Sequence, residues 1–307
     1  MGEHGGTVDT TDGRDHRVDQ APHEIADPDV GVIVNVGPAH LELLGSLENI
    51  AAAKAELIAG MRPGCAIVVP AGEPLLAEHL REDLRTLTFG EDGDVTLLGV
   101  SEDGLVSIVH EGQEIELQPS FGQSHNLRNL LAAVAVARAL GHTPAGSLEV
   151  DFSAMRGQRT LLPGNVLLID DCYNANPMSM RAAIEDLAAT SGGRRVAVLG
   201  DMLELGPEGG RLHREIGAHA QEHGVELLIT VGPLASEMTS SFAGEARSLP
   251  DAASAAELLP GLLRDGDVVL VKGSRGVGLE RLTQALRSER AAGSSAGPDP
   301  DGAEGGH

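Results

Sequence analysis

Residues 166–180 read "VLLIDDCYNANPMSM", and the fold follows from that stretch. VLLID is an unbroken apolar run closed by an aspartate, the pattern of a strand buried on both faces. A polar turn, DCYNAN, comes next. Pro177 then opens a helix, because proline is tolerated in the first helical turn, where its missing N–H is not needed. The unit recurs downstream. "RVAVLG" (195–200), "LLITVG" (227–232) and "DVVLVKG" (267–273) are further buried strands, with helical stretches between them. Buried strands linked by helical crossovers predict a Rossmann-like, doubly wound parallel sheet over residues 161–290.

Upstream the rhythm is mixed. "VGVIVNV" (30–36) and "AIVVP" (66–70) read as buried strands, and residues 40–61 between them as a helix with apolar residues at three- and four-residue steps. "VTLLGV", "LVSIVH" and "EIELQ" are short strands separated by "SEDG" and "EGQ", which predicts antiparallel hairpins. "SHNLRNLLAAVAVARALG" reads as a helix ended by Gly141. These elements predict a second, incomplete α/β domain over residues 24–160, with the boundary between 155 and 162. Residues 1–23 and 291–307 are almost without apolar residues and read as a disordered leader and tail.

Composition narrows the function. The 307 residues suit about two domains, with 41% hydrophobic and only 2% aromatic residues, so the cores are aliphatic. A net charge of −24 argues against a general nucleic-acid binder and against adhesion to anionic membranes. No apolar run is long enough to cross a bilayer, and two cysteines make no disulfide framework, so a cytoplasmic protein is expected. Of 22 basic residues only Lys54 and Lys272 are lysines, in a chain that otherwise uses arginine. A lysine carries an amine that can be deprotonated and modified, which a guanidinium cannot match.

In open α/β sheets, ligands bind beyond the carboxyl ends of the strands. Those ends read "DDCYNANP" (170–177), "GDMLELG" (200–206), "VGP" (231–233) and "KGSRG" (272–276). Each alone is ordinary turn chemistry. Together, on one rim, they predict a site.

With "VIVNVGPAHLELLGSLENIAAAKAEL" and "HNLRNLLAAVAVA", these loops resemble the Mur ligase family. Within it, "YNANP", "GDMLELG" and "KGSR" resemble the branch that adds D-Ala-D-Ala to UDP-N-acetylmuramoyl-tripeptide in peptidoglycan synthesis. The resemblance spans roughly residues 24–290. It implies the family's central ATPase domain, here partial, followed by its C-terminal domain. It also implies an ATP-dependent, ADP-forming amide ligase that works through an acyl phosphate, with ATP and Mg²⁺ as its cofactors. Lys54 matches a lysine that several members carbamylate with CO₂ to help hold the metal, and His40 matches the histidine beside it. His125, Asn126 and Asn129 match an adenine-facing motif, although helix capping also suits those asparagines. Arg159 matches the arginine at the domain junction, with Arg156 as its rival. Asp171 matches the ribose-binding aspartate. Tyr173, Asn174 and Asn176 shape the same loop, where an Asx turn before Pro177 is the local alternative. Lys272, Ser274 and Arg275 match a substrate-side loop, while Asp201 and His213 match loop and helix supports.

The sequence departs from the family at one place. No Gly-Lys-Thr phosphate loop occurs: Lys54 follows Ala53 and Lys272 follows Val271. The UDP-sugar domain is not found either. Only Glu24 and Ile25 echo the family's segment ahead of the first strand. The expectation is therefore a ligase inactive by itself, either truncated or completed by another chain that carries the missing half. The alternative is a non-catalytic nucleotide-binding or interaction module derived from such a ligase.

Overall fold

The structure is a computed structural model that describes residues 27–38 and 41–293. The predicted leader, Glu24, Ile25 and His40 lie outside the described residues, as does the tail beyond residue 293.

Two sheets organise the chain. The first begins with β1 (Val30–Val32), followed by α1 (Leu41–Leu44), α2 (Leu47–Gly60), β2 (Ala66–Pro70), α3 (Pro74–Ala77), β3 (Arg85–Phe89) and β4 (Val95–Val100). It continues through β5 (Val106–His110), β6 (Gln113–Pro119), α4 (Ser124–Ala139) and β7 (Gly146–Leu148). The strand order is β1-β2-β3-β4-β5-β6-β7. β1 to β3 run parallel, and β4-β5-β6 form the expected antiparallel hairpins. α4 closes one face: Leu127, Leu130, Leu131, Val134 and Ala135 pack on Val68, Leu87, Phe89, Ile108 and Leu117. Gly141, with φ +79°, ends that helix as expected.

Two upstream expectations change. The first strand is shorter than residues 30–36, because the chain leaves the sheet near Asn35. The helix over 40–61 is two helices. Gly45 takes φ +81°, and Ser46 restarts the chain as the N-cap of α2, accepting a hydrogen bond from Asn49 N at 3.2 Å.

The second sheet contains β8 (Gln158–Leu162), β9 (Val166–Asp171), α5 (Pro177–Ala189), β10 (Arg195–Gly200), α6 (Gly209–Glu222) and β11 (Leu227–Val231). β12 (Glu245–Leu249), α7 (Ala252–Leu262), β13 (Val268–Lys272) and α8 (Glu280–Gly293) complete it. Its order is β12-β11-β10-β13-β9-β8. All pairs are parallel except β8-β9. The four predicted strands are its centre. The edge strand β12 alternates too weakly to stand out in sequence: Glu245, Arg247 and Ser248 are exposed, and Ala246 and Leu249 are only half-buried. The chain passes between sheets after Leu148 and before Gln158, so residues 158–160 belong to the second sheet.

The winding is double, as predicted. Val268 and Leu270 of β13 face α5 and α6, while Val269 and Val271 face α7 and α8. That alternation is the period-two geometry of a strand buried on both sides. β9 and β13 are neighbours, yet the chain leaves β9 for α5 on one face and β13 for α8 on the other. The loops therefore part at the carboxyl ends of these two strands, the place where α/β sheets open a crevice.

Candidate functional site

A cavity of about 720 Å³ lies at that crevice, between the two sheets. Ligand pockets are commonly of this size. Three parts of the chain wall it. Val34, Asn35 and Gly37 follow β1, Ser124, His125, Asn126, Arg128 and Asn129 come from the start of α4, and Asp171, Tyr173, Asn174 and Asn176 come from the β9–α5 loop. Lys272 stands at its base, and Arg156 and Phe152 come from the passage between the sheets.

The β9–α5 loop is held from within and from below. Asn176 caps α5: its Oδ1 accepts from Ser179 N at 2.8 Å, and Ser179 Oγ accepts from Asn176 N at 3.0 Å. Asn174 Oδ1 accepts from Ala175 N at 2.8 Å. Local capping is thus present for Asn176, although both asparagines also line the cavity. Lys272 is 2% exposed, and its Nζ donates to Asp171 Oδ2 at 2.7 Å and to Asn174 O at 2.9 Å. The second lysine therefore fixes the loop on which Asp171 sits.

Tyr173 projects from the same loop. The Arg156 guanidinium lies 4.0 Å from its ring centroid and Arg275 lies at 5.2 Å. Cation–π contacts of this kind place two positive groups at the rim. Ser274 is buried and joins three loops: its Oγ accepts from Leu203 N at 2.9 Å and donates to Ala175 O at 3.4 Å. Asp201 and His213 are supports, as expected. Asp201 accepts from Ala235 N at 2.6 Å, and a Cβ on Gly232 (φ +110°) would meet its carboxylate at 2.6 Å. His213 is fully buried; Nδ1 donates to Gly209 O at 2.6 Å and Nε2 accepts from Met202 N at 2.9 Å. Burial pushes its pKa below the ordinary imidazole value, which suits that neutral tautomer.

The two junction arginines go to different places. Arg156 lines the cavity. Arg159, on the edge strand β8, reaches Asp186 of α5 at 2.7 and 2.8 Å and Thr190 at 3.1 Å, and it is not among the lining residues. Desolvation raises the Asp186 carboxyl despite that partner. His125 keeps solvent access across the cavity, but the surrounding walls lower its pKa, with Asp171 and Asp186 pulling the other way. Asn126 donates to Gln123 Oε1 at 3.1 Å, and Asn129 faces the cavity.

Lys54 approaches from α2. Its Nζ donates to Asn35 O at 2.7 Å and to Asn35 Oδ1 at 3.3 Å. Burial lowers its pKa and moves it toward the neutral amine. Asn35 was missed in the sequence. Its signal was its place at the carboxyl end of a strand, in "VIVNVGP". Arg128 and Met178, which also line the cavity, carry no comparable signal.

An adenine nucleotide fits this donor set, since amide side chains can both donate to and accept from a base edge. Among the described residues, no group of three metal-ligating side chains faces the cavity. That pattern is compatible with Mg²⁺, which takes most of its oxygens from phosphates and water.

Comparisons with known proteins agree with the fold on both sides of the crevice. The Mur ligase middle domain matches residues 13–137, and the Mur ligase glutamate ligase domain matches residues 155–275. A UDP-N-acetylmuramoyl-tripeptide--D-alanyl-D-alanine ligase of Synechocystis sp. is 36% identical, over 87% of this chain and 59% of its own length. The protein of that name in Escherichia coli is 31% identical, over 85% and 60%. The chain thus spans about 60% of the length of these curated relatives. A crystal structure of MurF ligase from Thermotoga maritima in complex with ADP superposes with TM-score 0.76 at 28% identity, covering 88% of this chain and 64% of that one. A MurF structure from Acinetobacter baumannii also gives TM-score 0.76, at 29% identity, over 86% and 61%. Carrying both matched domains in the family's order, with the fold of its solved structures, the chain belongs to the Mur ligase family.

Proposed function

We propose that this chain is the nucleotide-side part of an ATP-dependent amide ligase that joins D-Ala-D-Ala to UDP-N-acetylmuramoyl-tripeptide. The observation that carries the reading is the cavity at the domain junction, where Asn126 and Asn129 of α4 face Asp171 and Lys272 of the second sheet. A related protein of the same fold was crystallised with ADP. In this reading the start of α4 holds the adenine, and Asp171, steadied by Lys272, holds the ribose. Arg156, rather than the Asp186-bound Arg159, turns its charge toward the phosphates. His125, Tyr173, Asn174 and Asn176 shape the walls, and Ser274 and Arg275 belong to the substrate-side loop. ATP supplies the driving energy, and Mg²⁺ neutralises the oxygens that must approach one another. A cytoplasmic location belongs to the same reading.

The test is nucleotide binding by the 307-residue chain. A fluorescent ADP analogue is expected to bind weakly and to be displaced by ADP. Asn129→Leu is expected to weaken binding about 10-fold, as the loss of a buried hydrogen-bonding partner does. No saturable binding, or equal affinity in Asn129→Leu, would overturn the assignment of the cavity.

Lys54 and His40 form the metal-side pair of this reading. The half-buried Lys54 amine, lowered toward neutrality, is the form that adds CO₂. The carbamate so formed is an anion, which an arginine could not supply. Mass spectrometry in bicarbonate with Mg²⁺ and nucleotide is expected to show one CO₂ adduct that Lys54→Arg lacks. An adduct that persists in Lys54→Arg would place the chemistry elsewhere.

A further inference from the structure

α5 and α6 pack side by side on one face of the second sheet. At the end of this pair away from the cavity, Glu185 of α5 meets His219 of α6 and His223, which caps α6. Each offers one ligand atom, and these atoms all lie within 4.8 Å of one another. His219 is 7% exposed, and its Nε2 is buried with no hydrogen-bond partner. Glu185 Oε1 lies 3.3 Å from that nitrogen. Nε2 thus makes no hydrogen bond, and the oxygen nearest to it is a carboxylate that could share a cation with it.

His223 is already oriented. Its Nδ1 lies 2.9 Å from the carbonyl oxygen of His219 and donates to it, which leaves the lone pair on Nε2. A backbone carbonyl holding the far nitrogen is the usual second contact of a metal-bound histidine. The two rings sit 4.0 Å apart, tilted by 40°. The Glu185 side chain is 46% exposed, so an ion can enter from solvent.

We propose that Glu185, His219 and His223 form a zinc-class cation site that ties α5 to α6. Two imidazoles and one carboxylate are a donor set for Zn²⁺, whereas Mg²⁺ and Ca²⁺ favour oxygen alone. The 3.3 Å between Nε2 and Oε1 also matches the edge of a coordination tetrahedron. Bonds of about 2.0–2.1 Å give an edge of about 3.3–3.4 Å. The fourth position faces solvent and takes water. Arg181 opposes a cation there: its Nη1 lies 3.4 Å from His219 Nδ1, and Nδ1 must give up that contact and carry the ring proton when Nε2 holds the metal. Its Nη2 is held by Glu215 at 3.2 Å, which takes up much of that charge.

This site is separate from the nucleotide cavity. The lining residues of α5 end at Ala182. Glu185 stands about 13 Å along the helix from its cap, Asn176, at 1.5 Å per residue. The proposal therefore stands whether or not the cavity binds a nucleotide.

The test uses the tag-free chain, stripped with a chelator. Titration with Co²⁺ is expected to develop the visible bands of a tetrahedral site at one equivalent, and Zn²⁺ is expected to displace it. Glu185→Gln and His223→Gln change side chains with solvent access, so the fold survives. Each is expected to weaken Zn²⁺ at least 10-fold in competition with a chromogenic indicator. His142→Gln, at an exposed and remote histidine, is expected to change nothing. Zinc is also expected to raise the melting temperature of the unsubstituted chain but not that of the two variants. Unchanged zinc affinity in Glu185→Gln and His223→Gln, equal loss in His142→Gln, or no binding at micromolar free zinc would overturn the proposal.

Discussion

Given ATP, Mg²⁺, UDP-N-acetylmuramoyl-tripeptide and D-Ala-D-Ala, the 307-residue chain is expected to release phosphate no faster than background. Its residues contain no Gly-Lys-Thr turn, so the phosphates lack the row of backbone N–H donors and the lysine that such a loop supplies. Removing one oxyanion-type donor typically costs on the order of 100-fold in rate, and here several are missing together. The two reacting substrates are also not held in line, and alignment can supply roughly 7–11 kcal/mol of a barrier. Adding a separately expressed segment with the phosphate loop and the UDP-sugar domain is expected to raise turnover by about 10,000-fold, the product of two such donor losses restored. Phosphate release coupled to the new amide is the measurement. Robust turnover by the chain alone would show that its own residues hold the triphosphate. No rescue by the added segment would favour a non-catalytic nucleotide-binding module.

Lys272→Met carries the largest expected effect on stability. The Lys272 side chain is 3% exposed and that of Asp171 is 25% exposed, so the pair is nearly dry. Removing the cation leaves the carboxylate beside the cavity without its partner and frees the Asn174 carbonyl as well. Loss of one member of a buried pair costs about 3–5 kcal/mol; the residual exposure of Asp171 lowers the expectation to about 2–4 kcal/mol. Urea unfolding of Lys272→Met, Asp171→Asn and the double variant measures it. The double variant is expected to lose less than the sum of the singles, since it leaves no unpaired charge. Additive losses, or a shift below about 0.5 kcal/mol in Lys272→Met, would mean that the ion pair is not what holds this loop. Nucleotide affinity is expected to fall along with stability, because Asp171 and Asn174 lose their common anchor.

Much of the architecture was legible in the sequence. Residues 166–170, 195–200, 227–232 and 267–273 are apolar runs bounded by turns, and all four lie side by side at the centre of the second sheet. Asp171, Tyr173, Asn174 and Lys272 are candidate site residues from their place at strand carboxyl ends, and all four line one cavity. Weaker signals failed where burial is partial. β12, half exposed on an edge, has too few apolar positions to show a period. The break at Gly45 was hidden because α1 and α2 follow one another with little change of pattern.

The sequence by itself determined the winding of the second sheet and the rim on which a ligand would lie. Both follow from local apolar period and from the order of strands and helices, which need no knowledge of distant partners. Tertiary structure alone decided which charged side chain does what. Arg156 and Arg159 are close in sequence, yet one lines the cavity and the other is held by Asp186 across the helix α5. The partners of Lys272, Asp171 and Asn174, are brought to it from about a hundred positions away. Glu185 and His219 likewise meet only because α5 and α6 pack together. A charged group settles where burial and a partner offset its lost hydration, and those partners are set by sheet order and helix packing.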